Sequence, residues 1–100
     1  MRAAIAAGLL LALPLAAQGQ GLGQKVFTEI AQPPCALCHT LEAAGAAGTI
    51  GPSLDELKPD RDKILQAVRK GVGVMPPFAD KLSPEQIEAV ADYVSKTAGK

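Results

Sequence analysis

The chain contains no tryptophan, one tyrosine, two phenylalanines and one histidine. Its 100 residues suffice for one small domain, and so few aromatic side chains supply little bulk for an apolar core. Domains of this size often need a disulfide, a metal or a cofactor for stability. We therefore expect such a group among the few residues that can bind one.

The sequence also lacks an excess of either charge, since it has ten basic and ten acidic residues. A nucleic-acid-binding domain normally has a basic surface, so we expect no nucleic-acid partner. The chain has no apolar run of the roughly 20 residues that cross a bilayer.

Residues 1–19 have the layout of a secretory signal peptide. Arg2 supplies the positive start and an apolar run over residues 3–13 follows, succeeded by small residues. We predict cleavage after residue 19, and a cut after residue 16 or 17 also fits. The mature domain, residues 20–100, is then expected in the periplasm with no membrane anchor.

Helical patterns without useful strand alternation predict an all-α domain. We expect four short helices, over about residues 21–31, 53–57 and 61–70 and after Ser83. Ser53, Asp60 and Ser83 are placed as caps, with Asp55 in the first turn after Ser53. Ser83 with Gln86 has the spacing of a capping box. The spacing of apolar residues predicts the buried face of the first helix at Leu22, Val26 and Ile30. It predicts the buried face of the last helix at Ile87, Val90, Ala91 and Val94.

Both cysteines and the single histidine lie within five positions, Cys35-Ala36-Leu37-Cys38-His39. C-x-x-C-H is the attachment signal of c-type haem. Two thiols one helical turn apart can add to the two vinyl groups of one porphyrin, and the adjacent histidine then lies beneath the iron. We predict one haem c, attached through Cys35 and Cys38, with His39 as an iron ligand.

Three other functions are alternatives for this segment. A redox dithiol would favour a thioredoxin-like βαβ setting, which the pattern does not show. Zinc would need a fourth ligand, and the mature chain has no further cysteine or histidine. A disulfide would close too short a loop to stabilise the fold much. Haem attachment explains the segment best.

Met75 is the one methionine that remains after signal removal, and it lies in the loop GVGVMPPF. A lone methionine usually fills a core. Here the loop is rich in glycine, two prolines follow, and no second histidine competes. We therefore predict Met75 as the second iron ligand, which raises the reduction potential and suits electron transfer.

Gly51-Pro52 is a candidate for positioning His39, because the second imidazole nitrogen of a ligating histidine commonly donates to a backbone carbonyl. The alternative is that Gly51-Pro52 forms an ordinary turn, and the sequence leaves both open.

With these residues in place, residues 20–100 resemble a bacterial class I cytochrome c. The shared order is Gly-x-x-x-Phe (Gly23 to Phe27), C-x-x-C-H, Ile-Gly-Pro, Met-Pro and an aromatic residue, Tyr93, in the last helix. The resemblance implies the cytochrome c fold, about four short helices wrapped around one covalently attached haem. It also implies that Gly23 and Phe27 meet Tyr93 where the first and last helices cross, and that Tyr93 belongs to the cofactor environment.

More narrowly, CALCHTL and GPSLDELKP resemble the haem subunits and partner cytochromes of bacterial sulfite-oxidising molybdoenzymes. This resemblance implies redox protein partners: a dehydrogenase donor, with sulfite oxidation as the named case, and a terminal oxidase or other cytochrome as acceptor. The absence of tryptophan removes an indole that larger relatives direct at a haem propionate.

We expect an electron carrier and not an enzyme, because two axial ligands leave no position at the iron for substrate. The alternatives are a permanent haem subunit of a sulfite-oxidising molybdoenzyme, and a gas-binding cytochrome in which Met75 is displaced. An apolar rim of Ala36, Leu37 and residues 75–78 could meet partners. Nearby lysines and arginines could steer partners or could simply be solvated.

Overall fold

The structure is a computed structural model, and residues 21–100 are described. The predicted signal peptide and its cleavage site lie outside these residues and remain predictions. In the first helix, α1, residues 21–25 are α-helical and Val26–Ile30 are π-helical. The other elements are α2 (Cys35–Cys38), β1 (Thr40–Leu41), β2 (Ala46–Ala47), α3 (Leu54–Leu57), α4 (Arg61–Lys70) and α5 (Pro84–Thr97).

The predicted all-α class is confirmed. Strands β1 and β2 pair antiparallel across a 3₁₀ turn at Glu42–Ala44. Each strand has two residues, which is too short to leave an alternating pattern in the sequence. None of the helices within residues 21–100 is long and apolar enough to span a membrane.

The π-helical half of α1 changes which residue is buried. The amide of Ala31 donates to the Val26 carbonyl at 3.1 Å, a bond five residues long. Each turn here holds about one more residue than in an α-helix. Ala31 therefore shares the buried face of Val26 and is 0% exposed, whereas Ile30 is 37% exposed. The prediction that Ile30 lies on the buried face is wrong for this reason.

The helix caps read from the sequence are confirmed. The side chains of Ser53 and Asp60 accept from the amides of Glu56 and Lys63, at the starts of α3 and α4. Ser83 and Gln86 form the reciprocal capping box at the start of α5. These bonds satisfy amides that have no partner within their own helix, and so fix where each helix begins.

Helices α1 and α5 cross in close contact at Gly23. A Cβ added there would lie 2.4 Å from both the Ala89 carbonyl oxygen and the Tyr93 Cβ. The rings of Phe27 and Tyr93 meet edge to face, with centroids 6.3 Å apart. The crossing that the family resemblance implied is therefore present.

Helices α4 and α5 pack together through buried residues that include Ile64, Val68, Val90 and Val94. Arg61 supports this contact at the helix surface. Its Nε donates to Asp92 Oδ1, and a second guanidinium nitrogen lies 3.7 Å from Glu88 Oε1.

Asp55 ties the loop that follows β1 to the end of the chain. Its two carboxylate oxygens accept from the amides of Glu42 and Gly99, each at 2.8 Å. These bonds lower the pKa of Asp55 from 3.8, the Gly99 bond more than the Glu42 bond. The sequence indicated only that Asp55 opens a helix, because Glu42 and Gly99 are remote from it along the chain.

The bonds of Asp55 predict a pH dependence of stability. Since its pKa is lower in the folded state, its contribution is fully present above pH 3.8 and is lost as the pH falls through the folded-state pKa. We expect the urea midpoint of the wild-type chain to fall more steeply below pH 3.8 than that of Asp55→Asn, which cannot ionise.

Asp80→Asn is the control, because Asp80 is exposed and takes part in none of the hydrogen bonds or ion pairs found among residues 21–100. It should keep the wild-type slope. Equal slopes for all three proteins would show that the Asp55 bonds contribute nothing.

Candidate functional site

The Cys-x-x-Cys-His segment forms one helical turn followed by extended backbone. Pro34 precedes α2, and the His39 amide still donates to the Cys35 carbonyl at 3.0 Å. His39 itself is extended, with φ −118° and ψ 143°. As a result Cys35, Cys38 and His39 all line one cavity.

His39 is held by the Gly51-Pro52 segment. Its Nδ1 lies 2.8 Å from the Pro52 carbonyl oxygen, which can only accept, so Nδ1 carries the proton and donates. The Gly51 amide donates to the Cys38 carbonyl at 2.7 Å. In the neutral imidazole, Nε2 is then the nitrogen whose lone pair is available to a metal ion.

Two glycines let the 48–52 segment approach the histidine. A Cβ on Gly51 would lie 2.6 Å from His39 Cε1, and one on Gly48 would lie 2.6 Å from the Cys38 carbonyl carbon. The Gly48 carbonyl in turn accepts from the Thr40 hydroxyl at 2.9 Å. Glycine is needed at both positions because the backbone of Gly48 packs directly against the Cys38–His39 backbone, and that of Gly51 packs directly against the His39 ring.

Met75 is presented by a tight loop that follows α4. Val72 and Met75 exchange backbone hydrogen bonds of 3.0 and 2.9 Å. Gly71 ends α4 at φ +75°, and a Cβ there would lie 2.6 Å from the Met75 carbonyl oxygen. A hydrogen bond of 2.7 Å from the Phe78 amide to the Val68 carbonyl joins the end of the loop to α4. Met75 is half-buried and lines the same cavity as His39.

The cavity has a volume of about 550 Å³, within the range of cofactor sites. Its walls come from all of α1 to α5 and from the loops that contain Pro52 and Met75. The sequence placed several wall residues only in the core or did not assign them: Phe27, Leu54, Ile64, Val68 and Val90. It placed one further wall residue, Phe78, at an exposed rim. Their periodicity signals a buried face, but core and cofactor contacts produce the same pattern.

Tyr93 does not line this cavity. It is 4% exposed, packs against Gly23 and Phe27, and its hydroxyl has no hydrogen-bond partner within residues 21–100. Burial raises the pKa of that hydroxyl. The structure thus places Tyr93 in the helix crossing, away from the other predicted site residues, which all line the cavity.

Phe78 is likewise not part of an exposed rim, because it is 3% exposed and belongs to the core. The apolar side chains that lie at the cavity edge and are largely exposed are instead Ile50, Leu57, Val72 and Val74. The rim expected from residues 75–78 was therefore wrong for Phe78.

Burial raises the pKa of the Cys35 thiol to about 11. A backbone hydrogen bond opposes this shift, and the neighbouring Cys38 adds to it. The unmodified thiol is therefore neutral at pH 7. No unpaired thiolate has to be buried in the apolar cavity.

Residues 20–94 match the family model described as "Cytochrome C oxidase, cbb3-type, subunit III". The chain belongs to the class I c-type cytochromes. It is 42% identical over 71 residues to cytochrome c6 of Microcystis aeruginosa, covering 66% of this chain and 86% of that one. It is 34% identical over 108 residues to the chloroplastic cytochrome c6 of Chlamydomonas reinhardtii, covering 95% and 68%.

The crystal structure of the c-type cytochrome SorU from Sinorhizobium meliloti is similar, with a TM-score of 0.79 and 50% identity. The alignment covers 84% of this chain and 95% of SorU. The cytochrome c fold expected from the sequence is thereby confirmed.

Membership in this class means covalently bound haem c, with Cys35 and Cys38 as the attachment residues. The residues of the cavity suit that group: two thiols on one turn, an imidazole with a free Nε2, a thioether and apolar walls. When bound, haem c supplies a one-electron Fe(III)/Fe(II) couple.

The close contact at Gly51 predicts a specific mutational effect. Gly51→Ala places a Cβ against the His39 ring, so either the ring or the Pro52 carbonyl must move. We expect the haem-loaded protein to lose about 1–3 kcal/mol of unfolding free energy, as in other overpacked sites. Guanidinium unfolding followed by the haem absorbance measures this loss.

Gly21→Ala is the matched control, since nothing within residues 21–100 lies within 4 Å of the added Cβ. It should be neutral or slightly stabilising, because alanine favours a helix. Equal unfolding free energies for the two variants would show that the His39 contact is not tight.

Proposed function

We propose that this chain is a periplasmic carrier of single electrons in which His39 and Met75 are the two iron ligands. The observation that carries the proposal is that both side chains line one cavity with the attachment cysteines, each from a backbone segment fixed by hydrogen bonds. An imidazole and a thioether together favour the reduced state and suit electron transfer.

The way the ligands are held supports a carrier. His39 is oriented by Pro52 and Gly51, and Met75 by its paired bonds with Val72. Ligands held in this way stay in place when the charge of the site changes. Two protein ligands also leave no position for a substrate, which argues against an enzyme acting at the iron.

Placement in the periplasm rests on residues 1–19, whose layout is that of a signal peptide. Covalent attachment of haem c takes place outside the cytoplasm, which agrees with export. Cleavage after residue 19 would leave residues 20–100 as the mature cytochrome domain.

We infer that the electron donor is a dehydrogenase, with a sulfite-oxidising molybdoenzyme as the specific candidate, and that the acceptor is a terminal oxidase or another cytochrome. The resemblance of CALCHTL and GPSLDELKP to partner cytochromes of such enzymes supports the donor. A permanent haem subunit of the same enzyme is the second candidate, and the apolar cavity edge at Ile50, Leu57, Val72 and Val74 favours it.

Absorption spectroscopy tests the two ligands. We expect a c-type spectrum, a near-infrared charge-transfer band of Met sulfur on ferric iron, and no change when CO is added to the reduced protein. Met75→Ala should lose the band and bind CO, because it opens a coordination position. Val74→Ala, the exposed neighbour, should behave as wild type. A wild-type protein that binds CO would favour the gas-binding alternative.

Steady-state reduction tests the donor. A purified sulfite-oxidising molybdoenzyme should reduce the ferric chain only when sulfite is present, with saturable kinetics. Val74→Glu adds a charge at the exposed cavity edge and should lower kcat/KM several-fold with an unchanged spectrum. Gln24→Glu adds the same charge away from the cavity and should not. Absence of sulfite-dependent reduction would exclude this donor. Stable co-purification would favour the permanent subunit.

A further inference from the structure

The cavity walls carry very little charge. Among residues 21–100, Lys63 is the only charged side chain that lines the cavity. Apart from the cysteines, His39 and Met75, the other lining residues are aliphatic, phenylalanine, proline or glycine. Within the described part of the chain, no arginine, tyrosine, hydroxyl or amide side chain lines the cavity beside Lys63.

Haem c carries two propionate groups, which are carboxylates at neutral pH. Removing a carboxylate from water is costly unless a cation or hydrogen-bond donor meets it. The chain has no tryptophan to supply an indole donor. A propionate that lies at the edge of this cavity can therefore meet one side-chain cation that residues 21–100 supply to the wall, Lys63.

Lys63 is well placed and available for this purpose. It lies in the first turn of α4, and its amide is fixed by the Asp60 side chain at 2.8 Å. Ala67, four positions later and therefore on the same face of α4, also lines the cavity, so the Lys63 stem lies along the same wall. The ion pairs found among residues 21–100 belong to Arg61, with Glu88 and Asp92, and none involves Lys63.

We propose that Lys63 binds a haem propionate and thereby helps to set the reduction potential. Its positive charge compensates the carboxylate and favours the reduced iron, which has one positive charge less than the oxidised iron. The inference rests on the attached haem c and does not depend on the identity of the electron donor.

Other charged side chains near Lys63 also contribute to the electrostatic potential at the cavity. A surface groove beside the cavity is lined by Asp60, Asp62, Lys63 and Lys70, all on α4 or its cap. The cavity wall also includes the imidazole of His39, and α3 and the Met75 loop contribute apolar residues to it. The carboxylates of Asp60 and Asp62 are present in every variant below. Differences in reduction potential between the variants therefore arise from the lysine that is replaced.

The test uses the haem-loaded chain and three variants: Lys63→Gln, Lys63→Arg and Lys70→Gln. Lys70→Gln removes the same charge from the same helix but from a position that does not line the cavity. Spectroelectrochemical titration measures the ferric-to-ferrous ratio of each protein at the wild-type midpoint potential. The charge-transfer band and the unfolding midpoint show that the site and fold are intact.

We expect Lys63→Gln to raise the ferric-to-ferrous ratio about two- to fivefold, the size expected of a partly exposed ion pair. Lys63→Arg should stay near wild type, because it keeps the charge, and Lys70→Gln should change the ratio less than twofold. The potential of Lys63→Gln should also begin to fall at a higher pH, since an unpaired propionate holds its proton longer.

Equal ratios for Lys63→Gln and Lys70→Gln would overturn the inference. So would a Lys63→Arg variant that changes as much as Lys63→Gln, because the effect would then not follow the charge. A wild-type chain without a c-type spectrum would overturn both this inference and the proposed carrier function. If the ferric-to-ferrous ratios are as expected but sulfite does not drive reduction, the proposed donor is wrong and the inference about Lys63 stands.

Discussion

The hydrogen bond from His39 Nδ1 to the Pro52 carbonyl links two segments thirteen residues apart, and the site depends on it. It leaves Nε2 as the lone-pair nitrogen of the imidazole and brings the 48–52 segment against α2. That approach is possible only because Gly48 and Gly51 have no side chains to place against the Cys38–His39 backbone and ring. The residue after the attachment cysteines is thus fixed by backbone contacts.

Core and cofactor site share the same residues in this small protein. Phe27, Ile64, Val68, Phe78 and Val90 are buried in the core and also form walls of the cavity. A chain with three aromatic residues cannot bury much apolar surface by itself. Haem c therefore completes a core that the protein side chains only partly build, which is why the attachment residues stand at its edge.

The cavity wall is apolar apart from the haem-binding residues and one cation. Among residues 21–100, Lys63 is the charged member of that wall, whereas Asp55 lies outside it and joins the loop after β1 to the chain end beyond α5. Largely exposed apolar residues at the cavity edge, such as Val72 and Val74, form a surface that another protein can cover. A surface of this kind suits the transfer of electrons to and from another protein.

The sequence by itself determined the helical class, the caps at Asp60 and Ser83 and the attachment segment, because these depend on residues a few positions apart. Only the tertiary structure decided the rest. A π-helical turn buries Ala31 in place of Ile30. Phe78 lies in the core and not at an exposed rim, and Tyr93 does not line the cavity. The tertiary structure also revealed Asp55 and Lys63, whose partners or surroundings are remote in sequence. Local periodicity identifies a buried face, but only the packing of all five helices decides whether that face meets core or cofactor.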